Sequence, residues 1–63
     1  MYSLIGINGN AFAIMAYVVD AMKECGFSKQ EVTDWYSLAT SKDYNHLLVV
    51  SCEMLDKCNE LKK

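Results

Sequence analysis

The sequence predicts an all-α protein, a small three-helix bundle with a short extended N-terminal arm. Apolar residues recur at helical spacing in three segments, a capping-box pattern opens the second segment, and no proline interrupts the chain. The chain has 63 residues, 52% of them hydrophobic, so a single compact domain spanning residues 1–63 is expected. Its net charge is −2 and every basic residue is a lysine, which disfavours a nucleic-acid partner.

The first helix is predicted over residues 10–25, after an arm over residues 1–8. Asn10 is a good N-cap residue, and Gly26 is typical of the position that follows a helix end. Large apolar side chains from Phe12 to Cys25 cover an arc of about 220°, more than the roughly 100° that a surface helix requires. The arm contains strand-forming residues, so it should pack as an extended segment or pair with the arm of another copy.

Two further helices complete the predicted bundle. Helix 2 is predicted over residues 29–40, because Ser28 and Glu31 have the spacing of a capping box. Helix 3 is predicted over residues 43–61, with Asp43 as its N-cap, and it again has a broad apolar face. Lys62 and Lys63 follow it, where positive charge suits the negative end of the helix dipole.

Stability arguments predict a homodimer. Chains of this length usually need a disulfide, a metal or a second subunit. Cys25, Cys52 and Cys58 form no CxxC pair and lie in apolar helical patterns, so we expect buried, reduced thiols and a reducing compartment. The remaining way to stabilise the chain is self-association through the apolar excess of helices 1 and 3. The side chains assigned to that interface are Phe12, Met15, Val19, Met22, Val50 and Met54.

No pattern for catalysis, a cofactor or a metal site is present, so the chain is not expected to be an enzyme. His46 is the only histidine, and its helical neighbours provide neither a nucleophile nor a second metal ligand, which predicts a solvated surface side chain. The carboxylates fall on faces assigned to solvent, whereas paired-acid catalysis needs a desolvated carboxyl group.

Two alternative functions follow from local patterns. Gly9 and Asn10 precede a helix N-terminus, where free amides can hold an anion, so an oligomer that sequesters small anions or nucleotides is one alternative. No phosphate-binding motif accompanies these residues, and a turn followed by an N-cap is the favoured interpretation. Gly26 and the apolar residues after it also approximate a helix-turn-helix DNA-binding module, but the outward face of helix 2 has a net charge of −1.

Three blocks of the chain, residues 9–15 (GNAFAIM), 21–26 (AMKECG) and 43–48 (DYNHLL), resemble recurrent blocks of small proteins encoded by bacteriophages and other mobile elements. The chain departs from that pattern at Lys42, where a glycine would be expected. The resemblance implies the cytoplasm of a bacterial host cell and an accessory role, such as interference with a host defence protein. It implies no particular activity, and no functional residue is carried over from it.

Together these observations predict a non-enzymatic protein-interaction module that self-associates and binds or inhibits a bacterial host protein. No membrane partner is expected, because the longest apolar run, residues 11–19, is far shorter than the roughly 20 residues of a membrane span. Aromatic and charged side chains of helices 2 and 3 are the candidates for contact with the partner. These candidates are Trp35, Tyr36, Asp34, His46 and Glu53.

Overall fold

The computed structural model describes residues 1–62 and confirms the all-α, three-helix bundle. Helix α1 spans Ala11–Glu24, α2 spans Lys29–Ala39 and α3 spans Tyr44–Leu61, and no strand occurs within the described residues. Each helix differs from its predicted span by single residues at its ends, because the predicted spans included cap residues. Lys63, to which a role at the helix dipole was assigned, lies outside the described residues.

All three helices begin at side-chain caps. The Asn10 side chain accepts a hydrogen bond from the Phe12 amide at 2.8 Å. Ser28 and Glu31 form a reciprocal capping box, with bonds of 3.1 and 3.0 Å. Asp43 accepts from the His46 amide at 2.9 Å. These side chains satisfy backbone donors that have no partner within the helix, which fixes where each helix starts.

Helix α1 ends in a Schellman motif centred on Gly26. This residue has a φ of 88°, the left-handed conformation that glycine adopts without steric cost. The Phe27 amide donates to the Met22 carbonyl at 3.0 Å, and the Gly26 amide donates to the Lys23 carbonyl at 3.1 Å. The motif reverses the chain, so that the start of α2 lies beside the end of α1.

The core is formed by all three helices. Met22 and Val18 of α1 and Cys58 of α3 are fully buried at its centre. Trp35 of α2 covers one side and donates from Nε1 to the Val50 carbonyl at 3.4 Å. Ser51 also faces the core, and its hydroxyl has no hydrogen-bond partner within residues 1–62. The buried apolar residues are Ile14, Met15, Val18, Ala21, Met22, Trp35, Ala39, Leu47, Val50, Leu55 and Cys58.

One chain buries half of the side chains that were assigned to self-association. The accessible surface is 4212 Å², close to the roughly 4,100 Å² that size scaling gives for a compact monomer of this mass. Met15, Met22 and Val50 are buried by the chain's own helices, each with at most 7% of its surface exposed. These three side chains belong to one core cluster to which all three helices contribute, and the extent of that mutual cover is not visible in the apolar pattern of any single helix. Of the interface candidates, Phe12, Val19 and Met54 keep exposed surface.

The N-terminal arm docks on α3 instead of forming a strand. The Tyr2 amide donates to Asn59 Oδ1 at 2.7 Å, and Asn59 Nδ2 donates to the Tyr2 carbonyl at 2.9 Å. The arm then turns, with the Ile7 amide donating to the Leu4 carbonyl at 3.1 Å and Gly6 at a φ of 84°. The Asn59 side chain thus supplies the pair of bonds that a neighbouring strand would provide.

Three tyrosines hold the arm and the start of α1. The Tyr17 hydroxyl accepts from the Ser3 amide at 3.1 Å, and its ring packs edge-on against Tyr2 with centroids 6.5 Å apart. The Tyr2 hydroxyl donates to the Glu24 carboxylate at 3.1 Å. Desolvation by the surrounding protein and this carboxylate raise the pKa of Tyr2 to about 12. Tyr44 donates from its hydroxyl to the Gly9 carbonyl, which ties the segment before α1 to α3.

Candidate protein-binding groove

An open apolar groove lies between α1 and α2 and is named here the α1–α2 groove. Its larger part has a volume of about 480 Å³. Phe12, 73% exposed, and Tyr36, 40% exposed, stand at one end of it, which we call the aromatic end. The residues that line this part are Phe12, Met15, Ala16, Val19, Asp20, Val32, Thr33, Tyr36 and Ser37.

The groove continues past Val19, Val32 and Thr33 into a second hollow of about 420 Å³. Lys23 and Lys29 line this hollow together with Phe27, and we call it the cationic end. The ammonium group of Lys57 lies over the Phe27 ring, 5.8 Å from its centre. The groove therefore has an apolar floor, exposed aromatic rings at one end and two lysines at the other.

Helical periodicity explains how the sequence builds the wall of the groove on α1. Phe12, Ala16, Val19 and Lys23 fall within about 60° of one another at 100° per residue, so they form one stripe along the helix. The small side chain of Ala16 leaves space between Phe12 and Val19. α2 is the shortest of the three helices, with 11 residues, and its Trp35 is turned inward to the core. The outer side of the stripe on α1 therefore stays uncovered.

The structure does not bring the predicted partner-contact residues together. Tyr36 lines the groove, whereas Glu53 is exposed on α3. Asp34 is exposed and accepts a hydrogen bond from Gln30 Nε2 at 2.8 Å. Trp35 is only 5% exposed and donates to a core carbonyl, so its assignment as a contact residue does not fit its position. A tryptophan on an amphipathic helix is compatible with either location, and the sequence alone did not distinguish them.

His46 has a structural position that the sequence did not indicate. Its side chain is partly buried, and Nε2 lies 2.9 Å from the Leu38 carbonyl oxygen in the last turn of α2. The same oxygen accepts from the Ser41 hydroxyl at 2.7 Å. These contacts satisfy a carbonyl that has no partner within α2 and connect the end of α2 to the start of α3.

The three cysteines differ in environment. Cys58 is buried, and burial raises the pKa of its thiol to about 11, with the nearby Cys25 thiol adding to the shift. Cys25 is partly buried, and its Sγ donates to the Cys58 carbonyl at 3.7 Å. Cys52 is exposed, so the prediction that it is buried was wrong. The neighbouring Ser51 occupies the inward position on α3 instead, and a serine is not expected there from hydropathy.

The other candidate sites have little capacity for a ligand. Near Gly9 and Asn10, the Asn10 amide already donates to Asn8 Oδ1 at 2.9 Å, and the Phe12 amide donates to the Asn10 cap. Two of the amides that an anion would need are therefore occupied. Within residues 1–62, no group of three or more His, Cys, Asp or Glu side chains is placed to hold a metal ion.

Comparison with protein-family models, with curated proteins and with solved structures found no match to this chain. The resemblance to proteins of bacteriophages and mobile elements therefore stays a prediction. None of the helices in the described part of the chain has the length and apolar character needed to cross a membrane.

Proposed function

We propose that this protein is a non-enzymatic protein-interaction module and that the α1–α2 groove is its binding surface. The observation that carries the proposal is the position of Phe12, a large aromatic side chain 73% exposed at the rim of an apolar groove. Exposed aromatic side chains beside a hydrophobic depression are typical of interface hot spots, because covering them removes a large apolar area from water.

The chemistry of the groove favours a polypeptide over a small polar substrate. Sites for small polar ligands place several polar groups around one point. In the larger part of the groove, by contrast, Asp20 is the charged side chain and most of the lining is apolar. An elongated groove between two helices fits the apolar face of another helix, which would place successive side chains along it.

The proposed biological role combines this surface with the resemblance described above. The proposed role is that of an accessory protein of a bacteriophage or mobile element that binds or inhibits a bacterial host defence protein. Such a protein can act simply by occupying a surface of its target, which requires no catalytic residues. The proposed location is accordingly the cytoplasm of the bacterial host cell. This part of the proposal depends on the resemblance alone, whereas the groove as a binding surface depends on Phe12 and its surroundings.

Site-specific photo-crosslinking in bacterial cells tests the proposal. Thr33, which is exposed and lines both parts of the groove, is replaced by p-benzoyl-phenylalanine, and Asp56, exposed on α3, is replaced in the same way as the control. We expect a protein adduct from position 33 that mass spectrometry can identify and that position 56 does not give. Adding Phe12→Lys should remove the adduct, because a lysine there takes away the apolar contact and adds a charge.

Two results would contradict the proposal. One is the absence of any protein adduct from position 33 in cells where the chain is folded. The other is an adduct whose yield is the same with and without Phe12→Lys, since the groove would then not be the surface that holds the crosslinked protein. Circular dichroism of each purified variant verifies that the three helices are retained.

A further inference from the structure

We infer that the α1–α2 groove binds a second copy of this chain, related by a two-fold axis that places Phe12 of each copy in the cationic end of the other. This inference rests on the proposed function, because it names the occupant of the same groove. It depends on two observations: the spacing of Phe12 and the cationic end along α1, and the distribution of charge along the groove.

Phe12 and the hollow that would receive it lie on one stripe of α1. Lys23, which lines that hollow, is 11 residues after Phe12, about 16 Å along the helix and about 20° around it. When two α1 helices pair antiparallel, each Phe12 therefore lies opposite Lys23 of the other copy. Apolar cavities of about 150 Å³ can hold a benzene molecule, so the hollow of about 420 Å³ has room for a phenyl ring.

The two-fold rotation that relates the copies inserts both Phe12 rings at once, and it limits the assembly to two copies. In a two-fold interface, if residue i contacts residue j, then residue j contacts residue i, so no unfilled hollow remains to recruit a third chain. Ala16 lies near the proposed axis, and its small side chain allows the two α1 helices to approach closely.

The charges of the groove favour the antiparallel orientation. Lys23 and Lys29 of one copy meet the faces of Phe12 and Tyr36 of the other, and ammonium groups are attracted to aromatic faces. A parallel orientation would instead place the four lysines of the two cationic ends together. Asp20, which lines the larger part of the groove, is exposed.

An interface of ordinary size would cover a modest share of the surface of this chain. A standard interface removes about 800 Å² from each partner, about a fifth of the 4212 Å² surface of this chain. A three-helix bundle has three faces between helix pairs, and the face formed by α1 and α2 is one of them.

Sedimentation equilibrium of the full chain, from micromolar to submillimolar concentration, tests the inference. We expect a monomer–dimer equilibrium with a limiting mass of twice 7.1 kDa. Phe12→Glu and Phe12→Lys remove the same aromatic contact, but only the glutamate would lie opposite Lys23 and Lys29. With two such contacts in each dimer, Phe12→Glu should dimerise about tenfold more tightly than Phe12→Lys in low salt. Val49→Lys, on the exposed side of α3, is the control and should dimerise as the unmodified chain does.

The outcomes separate this inference from the proposed function. Equal dimerisation of the glutamate and lysine variants, with circular dichroism showing both folded, would overturn the two-fold arrangement. A chain that stays monomeric at submillimolar concentration, while its groove still crosslinks to other proteins in a Phe12-dependent way, would overturn the second copy as occupant and leave the groove as a binding surface. A chain that stays monomeric and whose groove gives no Phe12-dependent crosslink would overturn both proposals.

Discussion

Replacement of Asn59 by alanine should detach the N-terminal arm and lower the free energy of unfolding. The variant loses two hydrogen bonds to the Tyr2 backbone, of 2.7 and 2.9 Å, each worth about 1 kcal/mol. Alanine has a higher helix propensity than asparagine, which returns about 0.5 kcal/mol. The expected net loss is about 1.5 kcal/mol, equivalent to a decrease in Tm of roughly 6–12 °C for a domain of this size.

Urea unfolding followed by Trp35 fluorescence measures this loss, and hydrogen exchange of the Tyr2 amide measures the detachment directly. Asn45→Ala is the matched control, because Asn45 is an exposed asparagine near the start of the same helix. It should leave the stability unchanged or slightly higher. A loss below about 0.5 kcal/mol for Asn59→Ala, or an equal loss for Asn45→Ala, would show that the amide pair does not fasten the arm.

Two further predictions concern titratable groups. The pKa is raised to about 12 for Tyr2 and to about 11 for Cys58, so the folded chain holds these protons more tightly than the unfolded chain. The contribution of these two groups to stability should therefore be constant below about pH 8.5 and be lost as the pH rises to 12. Thermal unfolding against pH measures this, and Tyr2→Phe should flatten the upper part of the profile; a Tm that does not fall above pH 9 would contradict it. Thiol modification should proceed fastest at exposed Cys52 and slowest at Cys58, and a Cys52→Ala variant that keeps the fast phase would contradict that order.

The helices could be predicted from sequence because their signals are local. Asn10, Ser28 and Asp43 each act on amides two or three residues away, so the capping residues determine where the helices begin. Gly26 likewise ends α1 through bonds to residues within one turn. Such interactions depend little on the rest of the fold, and a single sequence is sufficient to identify them.

The candidate site could be predicted only in part, because it depends on which helix covers which face. Phe12 is exposed on α1, whereas Met15 and Met22 of the same predicted apolar face are buried in the core, because packing between helices is a tertiary property. The groove requires α2 to lie beside the stripe of Phe12, and neither helix contains that information alone. Asn59 was also missed, because a polar residue on an exposed-looking helical position gives no signal of a partner 57 residues away.

The bonds between Tyr2 and Asn59 close a loop of 57 residues, almost the whole chain. Loop closure is entropically costly at this length, and the two residues meet only when α1 and α3 are already packed against each other. The arm should therefore be the last part of the molecule to become ordered during folding and the first to be released during unfolding. Exchange at the Tyr2 amide would consequently detect the earliest loosening of the bundle, before any helix melts.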